Sequence, residues 1–448
     1  MAQAQKRELT REIGLASAAS LVVGEVIAVG IFLTPADMAK SLGSPMWLLA
    51  VWVAMGAMAL SGALCYGELA ARFPEAGGGY VYLREAFGPR LAFLYGWMCF
   101  LVLDPGITAA LAVGLASYAG YIVGLSPVAG KLLGIAAILS LAALNILGVS
   151  RVAWLMRWLT VSKLGLLSLL VVWGFGMRLG DWSNFTPFVA QRAGSAPLAG
   201  ALAGAMVAAF FSFGGWWDLS KVAGEVRDPA RTLPRALAAG VVIVTLVYIL
   251  TSAVFIYLVP IEQVVSGETF AAQAGAALFG QSGGQVFSII VIVSVLGSLS
   301  GVITTAPRVY YAMARDGVFI RSVSSLHPRF GTPARAIALQ AGLASLLVAV
   351  GTFQQIISYF VFVTVIFIAL TVAAVFRLRG GARAETSYLT PGYPVTPLIF
   401  LALVGLLLFL LAGHNPRQAL LGVGVVAIGA PFYHFVFSRR STRRDEDR

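Results

Sequence analysis

The stretch GEVIAVGIF, residues 24–32, decides the fold of this 448-residue chain. Gly24 and Gly30 bracket a carboxylate, Glu25, in the middle of the first hydrophobic segment, between the apolar runs IGLASAASLVV and LTPADMA. Glycine weakens a helix interior by about 1 kcal/mol relative to alanine, and an ionisable side chain at membrane depth is a functional-site hypothesis by default. We therefore expect the helix that carries this stretch to be interrupted.

Composition limits the class of protein. Hydrophobic residues make up 59% of the chain and charged residues 11%, which is too little polar surface for a soluble protein of this length. Apolar stretches of about 20 residues, long enough to cross a hydrocarbon core of roughly 30 Å, recur throughout. We expect an all-α polytopic membrane protein. His327, His414 and His434 lie far apart, and no metal-ligand or nucleophile pattern indicates an enzyme, a metal site or a cofactor.

Polar and Gly/Pro-rich breaks divide the chain into twelve predicted spans. They lie near residues 13–38, 46–70, 90–122, 131–148, 153–177, 197–220, 233–259, 283–313, 334–351, 355–377, 394–413 and 418–437. With both termini on one side, that side carries 25 of the 31 Lys and Arg residues, Lys221 and Arg308 among them. Basic residues favour the cytoplasmic side. We therefore expect cytoplasmic termini in a plasma or inner membrane, and a basic surface that faces anionic lipids rather than nucleic acid.

A second interruption is predicted in span 6. The sequence FFSFGGWWDLS, residues 210–220, places Gly214 and Gly215 side by side in an apolar helix. In lipid, a freed backbone group costs several kcal/mol unless a partner satisfies it, so an unwound segment is tolerated where it lines a cavity. Close helix packing through small residues is the alternative explanation for such glycines.

Spans 1 and 6 each begin a five-helix unit, and an odd number of crossings gives the two units opposite topologies. Interrupted helices at matching positions of two inverted halves point to the binding site of a transporter. The predicted organisation is therefore a cytoplasmic N-terminus at 1–12, a first repeat at 13–177, a second at 197–377, peripheral helices at 394–437 and a cytoplasmic tail at 438–448.

The two interruptions predict complementary binding groups. The second half of helix 1 should present the backbone amides of Ala28, Val29, Gly30 and Ile31. A helix N-terminus of this kind suits a carboxylate. The first half of helix 6 should present carbonyl groups near Phe211, Ser212 and Phe213, which suit an ammonium group. A zwitterionic α-amino acid carries both charges, and we add Gly214 and Trp217 to its predicted binding site.

Several segments resemble the amino acid–polyamine–organocation transporters, and within them the L-type amino acid transporters and their bacterial exchangers. They are GEVIAVGIFLTP with AKSLGSP (24–45), SGALCYGELAARFPEAGGGYVYLREAFG (61–88), FGGWWDLSKVAGEVRDPARTLPRA (213–236) and GSLSGVITTAPRVYYAMARDGVF (297–319), together with Lys163. The resemblance implies a LeuT-type fold, with five plus five inverted helices and two peripheral ones. It also implies that the broken helices hold the substrate and that Phe211 occupies the position of a gate.

Lys163 in span 5 lies where some members of that family place a lysine that takes over the position of a sodium ion between helices 1 and 8. The resemblance therefore implies sodium-independent transport, with the ammonium group bound to carbonyls of helix 1. A lysine at membrane depth costs at least ~3 kcal/mol unless it is paired or lies in a polar cavity. The alternative is a side chain that snorkels to the interface.

The chain also departs from the family pattern. Ala28-Val29-Gly30 stands where relatives usually read Gly-Ser-Gly, and Trp217 stands where many L-type relatives have Asn. Both changes narrow the cavity, so we expect a small neutral L-amino acid as substrate of an exchanger or a proton-linked permease. Glu25 could carry the proton, because a carboxyl group desolvated in a bundle can exchange one near neutral pH; a structural role is the alternative.

Three questions remain open at this point. The roles of Asp104 and Asp218 are undetermined, and with Glu25 they could instead neutralise a polyamine or a cationic amino acid on the same fold. A sensor or a partner subunit that does not transport is a third possibility, although no signalling domain is apparent. Cys65 and Cys99 both fall in predicted spans, so no disulfide-linked protein partner is expected.

Overall fold

The computed structural model describes residues 9–264, 270–350, 361–380, 388–414 and 416–436. Within these ranges the regular structure is helical, and the single β-bridge joins Ile13 to Val226. Of the predicted termini, segment 1–12 is described only from residue 9, and the tail 438–448 lies outside the described residues. The first part of the span predicted at 355–377 also lies outside them.

The helices follow the apolar segments of the sequence. In chain order they are α1 (Leu15–Val26), α2 (Gly30–Leu42), α3 (Pro45–Arg72), α4 (Gly79–Phe87), α5 (Pro89–Met98), α6 (Asp104–Val123), α7 (Pro127–Ile146), α8 (Val149–Gly176), α9 (Leu198–Phe213), α10 (Pro229–Leu258), α11 (Phe270–Phe279), α12 (Gly283–Thr305), α13 (Pro307–Arg315), α14 (Ala334–Val350), α15 (Val361–Arg379), α16 (Val395–His414) and α17 (Pro416–Val436). A π-helix, Cys99–Leu103, joins α5 to α6, and a 3₁₀ segment, Trp216–Glu225, follows α9.

Eight helical segments in the described ranges are long and apolar enough to cross a membrane, and a ninth span forms if the bent pair α1 and α2 is counted as one. The axes of α1 and α2 differ in direction by 44°. Two shorter apolar helical stretches, Ala334–Val350 and Val395–Leu410, also lie within the described residues. The chain is therefore a polytopic helical membrane protein, and the predicted total of twelve spans stays a prediction.

Helix α1 lies at the centre of the bundle. It packs against α8, α10 and α12, while α10 runs along α3 and α12 runs along α6. Every residue from Leu21 to Val26 is buried, as expected for a helix that is surrounded on all sides. Beside it, the rings of Trp52, Phe213 and Tyr248 pack together, with centroids 5.0 Å apart for Trp52 and Tyr248. The interrupted helices thus meet in the most buried part of the molecule.

A terminal clasp, formed by residues 11–13 and 225–227, ties the start of the chain to the end of the 3₁₀ segment. The amides of Glu12 and Ile13 both donate to the carbonyl of Glu225, at 2.9 Å. Arg308 in turn donates one hydrogen bond to each oxygen of the Glu225 carboxylate, at 2.7 and 3.1 Å. The Arg308 side chain is fully buried. The prediction that Arg308 belongs to the basic cytoplasmic surface is wrong, because the side chain is buried and paired with Glu225.

Candidate functional site

The first interruption lies between α1 and α2, where residues 27–29 belong to neither helix and Ile27 has a non-helical ψ angle of 86°. Gly30 allows this geometry, because a Cβ atom there would lie 2.7 Å from the Cα atom of Ser212 in α9. The Ala28 amide turns back and donates to the Val26 carbonyl at 2.8 Å. The amides of Val29, Gly30 and Ile31 have no backbone acceptor within the described chain. The N-terminus of α2 therefore offers three amides that have no backbone partner among the described residues.

The second interruption lies at Gly214 and Gly215, between α9 and the 3₁₀ segment. Gly215 has a φ angle of +108°, a left-handed conformation that strongly favours glycine. The carbonyl of Phe211 accepts from the Gly214 amide at 3.1 Å, and the carbonyl of Ser212 accepts from the Tyr248 hydroxyl at 2.7 Å. Two of the three carbonyl groups predicted to face an ammonium ligand are thus already engaged.

Tyr248 of α10 connects the two interruptions, and the sequence reasoning did not identify it. Its hydroxyl lies 2.8 Å from the carbonyl oxygen of Val26 and 2.7 Å from that of Ser212, and the side chain is fully buried. The only signal in the sequence is a tyrosine within the otherwise largely aliphatic stretch VVIVTLVYIL, residues 241–250. One hydroxyl group therefore holds the end of α1 and the end of α9 together.

Lys163 lies behind the first interruption and is fully buried. Its ammonium group donates to the carbonyls of Gly24, Ile27 and Ser294, at 2.8, 2.7 and 2.9 Å. The side chain therefore does not snorkel to an interface. Instead it supplies donors to carbonyls at the C-terminal end of α1, where helical partners are missing, and links that end to α12.

Helix α12 accommodates the Lys163 ammonium group and the C-terminal end of α1. The sequence reasoning did not identify the residues of α12 that do so. A Cβ atom at Gly297 would lie 2.9 Å from the Lys163 ammonium nitrogen, so only glycine leaves room for it. The Ser298 hydroxyl donates to the Gly24 carbonyl at 2.7 Å, and Thr305 donates to the Glu25 carboxylate at 3.0 Å. The small and hydroxylated residues of this helix therefore position α1 and its charged neighbours.

A cavity of about 90 Å³ lies between the two interruptions. At a liquid-volume share of about 30 Å³ per water, this corresponds to about three waters, which suits a small solute. Seven of the predicted binding residues and Glu25 line it: Glu25, Ala28, Val29, Gly30, Phe211, Ser212, Gly214 and Trp217. Ile31, Phe213 and Lys163 do not line it. Phe213 points instead into the aromatic cluster with Trp52, where their ring centroids lie 6.1 Å apart.

The lining is mostly apolar, and its charged members in the described chain are Glu25 and Asp218. Glu25 is only 4% exposed. Its Oε1 atom accepts from Thr305, whereas its Oε2 atom has no hydrogen-bond partner within the described residues. Phe211 is half-buried in the wall, and Trp217 faces the cavity while it stacks on Phe210 at 6.3 Å. Trp217 thus narrows the cavity.

A buried ionic cluster adjoins this lining. The Lys221 ammonium nitrogen lies 2.9 Å from carboxylate oxygens of both Asp104 and Asp218, and Tyr310 donates to Asp104 at 2.9 Å. The contact with Asp218 has the distance of an ion pair but lies outside hydrogen-bond geometry. Lys221 is 1% exposed. Its assignment to the cytoplasmic surface is therefore wrong, because the side chain is held between two carboxylates inside the bundle.

Comparison with known proteins gives consistent matches. A family model described as "Amino acid permease" matches residues 13–435. The "Serine/threonine exchanger SteT" of Bacillus subtilis is 32% identical, over 88% of this chain and 89% of its own length. The "Asc-type amino acid transporter 1" of Mus musculus is 29% identical, over 95% and 81%. The "Large neutral amino acids transporter small subunit 2" of Homo sapiens is 28% identical, over 95% and 80%.

Proposed function

The chain belongs to the amino acid permease family, and on that premise we propose that it is a sodium-independent secondary transporter of small neutral L-amino acids. It moves them across the membrane by alternating access, as an exchanger or a proton-linked permease. The named relatives are amino acid transporters, one of them an exchanger of serine and threonine. This chain is accordingly a transporter rather than an enzyme.

One observation carries the proposal: two interrupted helices meet at one small cavity. The substrate carboxylate binds the amides of Val29 and Gly30, which line the cavity and have no backbone acceptor in the described chain, and the dipole of α2 adds a favourable potential. The apolar wall and Trp217 limit the size of the side chain. Phe211, half-buried in the same wall, acts as the gate over the bound substrate.

Sodium independence is supported by the contacts of Lys163. Its ammonium group binds three carbonyl oxygens from α1 and α12, and carbonyl oxygens are also ligands for hard cations. A fixed ammonium group therefore does the structural work of a bound cation in this position. Glu25 is buried, and its Oε2 atom has no hydrogen-bond partner in the part of the chain that the structure describes; it is the residue proposed to bind and release a coupled proton.

The architecture proposed for this function is a LeuT-type fold of twelve spans with a five-plus-five inverted repeat. The basic residues of the loops support cytoplasmic termini in a plasma or inner membrane, among lipids. Cys65 and Cys99 are buried free thiols, which supports action without a disulfide-linked partner chain.

A second candidate, transport of a polyamine or a cationic amino acid, is favoured by one feature. The charged side chains that line the cavity within the described chain are both acidic. The remaining alternative, a sensor or a partner subunit that does not transport, predicts that no solute crosses the membrane at all.

The test is counterflow of labelled amino acids in sodium-free proteoliposomes. We expect uptake of small neutral amino acids, with weak competition by putrescine and arginine. Strong competition by these cations would support the second candidate. Absence of uptake across all twenty amino acids would overturn the proposal in favour of the sensor or subunit.

A further inference from the structure

The cavity has an acidic end, formed by Glu25 and Asp218, whose hydrogen-bonding capacity is not used up. Glu25 Oε2 is buried without a partner in the described chain, and the Thr305 hydroxyl engages the other oxygen. Asp218 contacts Lys221, yet its Oδ1 atom lacks a hydrogen bond of good geometry. Buried acceptors of this kind are strongly disfavoured unless a donor reaches them. The donors that fit are those of a ligand in the cavity.

Four backbone carbonyls near the acidic end already have side-chain donors. The carbonyls of Gly24 and Ile27 accept from Lys163. The carbonyls of Val26 and Ser212 accept from Tyr248. The main-chain carbonyls of Ala28 and Gly214 accept no described backbone bond, and the two carboxylates add charged acceptors beside them. Two carboxylates also offer more than the α-ammonium group of an amino acid requires, so a second donor on the ligand has a partner.

The charges around the cavity lead to the same conclusion. Three carboxylates, Glu25, Asp104 and Asp218, are buried beside two ammonium groups, Lys163 and Lys221. When Glu25 carries a proton, the two remaining carboxylates balance the two ammonium groups; when Glu25 is ionised, one negative charge is in excess, and a zwitterionic ligand leaves that excess unchanged. An unbalanced charge in a dry interior is costly. A ligand with one additional positive charge removes the imbalance, and a ligand with a neutral donor removes part of it.

From these observations we propose that the acidic end is a side-chain subsite, which selects small amino acids whose side chain ends in a hydrogen-bond donor. The inference rests on the proposed amino acid transport and extends its substrates from small neutral amino acids to small ones with an ammonium side chain. An ammonium donor binds better than a hydroxyl donor, because charge-assisted hydrogen bonds to carboxylates are the stronger ones. The small cavity restricts this donor to a short side chain.

Three isosteric ligands test the proposal with the unaltered protein. L-2-aminobutyrate, L-serine and L-2,3-diaminopropionate have the same number of heavy atoms and end in a methyl, a hydroxyl and an amino group. Each is used to compete for the uptake of labelled alanine into proteoliposomes. We expect the order diaminopropionate, serine, aminobutyrate, with roughly tenfold to hundredfold between the ends of the series.

Glu25→Gln and Asp218→Asn test the residues themselves. Each removes a charge at nearly constant size, so the preference for diaminopropionate over aminobutyrate should shrink at least several-fold. Asp37→Asn is the matched control, because Asp37 is an exposed carboxylate of α2 that does not line the cavity. This control should retain the full preference.

The outcomes separate the inference from the proposed function. Preference for serine over both other ligands would support the subsite with a hydroxyl as its donor. Equal competition by all three, or a preference for aminobutyrate, would overturn the subsite and leave amino acid transport intact. Absence of any amino acid uptake would overturn the proposed function, and the subsite with it. An unchanged preference for diaminopropionate in both cavity variants would overturn the subsite.

Discussion

Replacing Tyr248 by phenylalanine removes one hydroxyl group from the centre of the bundle and keeps the ring. The ring contacts with Trp52 and Phe213, at centroid distances of 5.0 and 5.2 Å, are retained. Two carbonyl groups lose a donor, those of Val26 and Ser212. The Val26 carbonyl still accepts from an amide, whereas the Ser212 carbonyl keeps no described donor. The change therefore isolates one buried acceptor.

The expected magnitude follows from this difference. A hydroxyl group has one proton, so Tyr248 makes one full hydrogen bond or two shared ones. Removing one partner of a buried bond costs about 1–3 kcal/mol, because the other group stays desolvated. We expect Tyr248→Phe to lower the free energy of unfolding by that amount, with the loss centred on the two interruptions.

The measurement is equilibrium unfolding of the purified protein in mixed micelles, with and without a transported amino acid. Tyr82→Phe is the matched control, because Tyr82 is a fully buried tyrosine whose hydroxyl makes no hydrogen bond of good geometry in the described chain. That control should be neutral or slightly stabilising. If Tyr248→Phe proves as stable as Tyr82→Phe, the hydroxyl does not hold the two helices together.

Three further changes test other contacts. Lys163→Ala removes the ammonium group that caps α1, and we expect sodium-free counterflow to fall at least tenfold; unaltered transport would contradict its cation-like role. Gly30→Ala places a Cβ atom 2.7 Å from the backbone of α9, and we expect it to lower the free energy of unfolding by about 1–3 kcal/mol. Gly165→Ala is the control, because no described atom lies within 4 Å of the new Cβ. This control should not lower the thermal unfolding temperature. Equal melting of the two would argue against the close approach. Glu225→Gln leaves the Arg308 charge buried and weakly paired, so we expect the free energy of unfolding to fall by about 3–5 kcal/mol. The double variant with Arg308→Met should recover part of this stability. Additive losses would show that the two side chains act independently.

The family resemblance is confirmed, and the helix interruptions lie where the glycines predicted them. These features were predictable because they depend on local chemistry. A glycine pair in an apolar helix is recognised from a few residues of sequence. Glycine is also the residue that most easily adopts the positive φ angle observed at Gly215. The predicted binding roles of the residues around the cavity stay a hypothesis.

Other features were not predictable because they depend on distant partners. Lys221 lies in the polar segment SKVAGEVRDPAR, which is typical of a cytoplasmic loop, yet its partner Asp104 is 117 positions away in the sequence. The bond of Tyr248 to Val26 spans 222 positions. Both side chains became interpretable only when the fold had placed their partners beside them. The pairing of charges in a membrane interior therefore needs three-dimensional information.

The three carbonyl contacts of Lys163 have a consequence for energetics. A sodium ion in such a place can leave, and its electrochemical gradient can then drive transport. An ammonium group that is covalently attached to the chain never dissociates, so it occupies its position at every salt concentration. It therefore has no electrochemical gradient that could drive transport. In the proposed sodium-independent mechanism, net accumulation therefore draws on a gradient of amino acid or of protons, and a pure exchanger only trades one internal solute for one external solute.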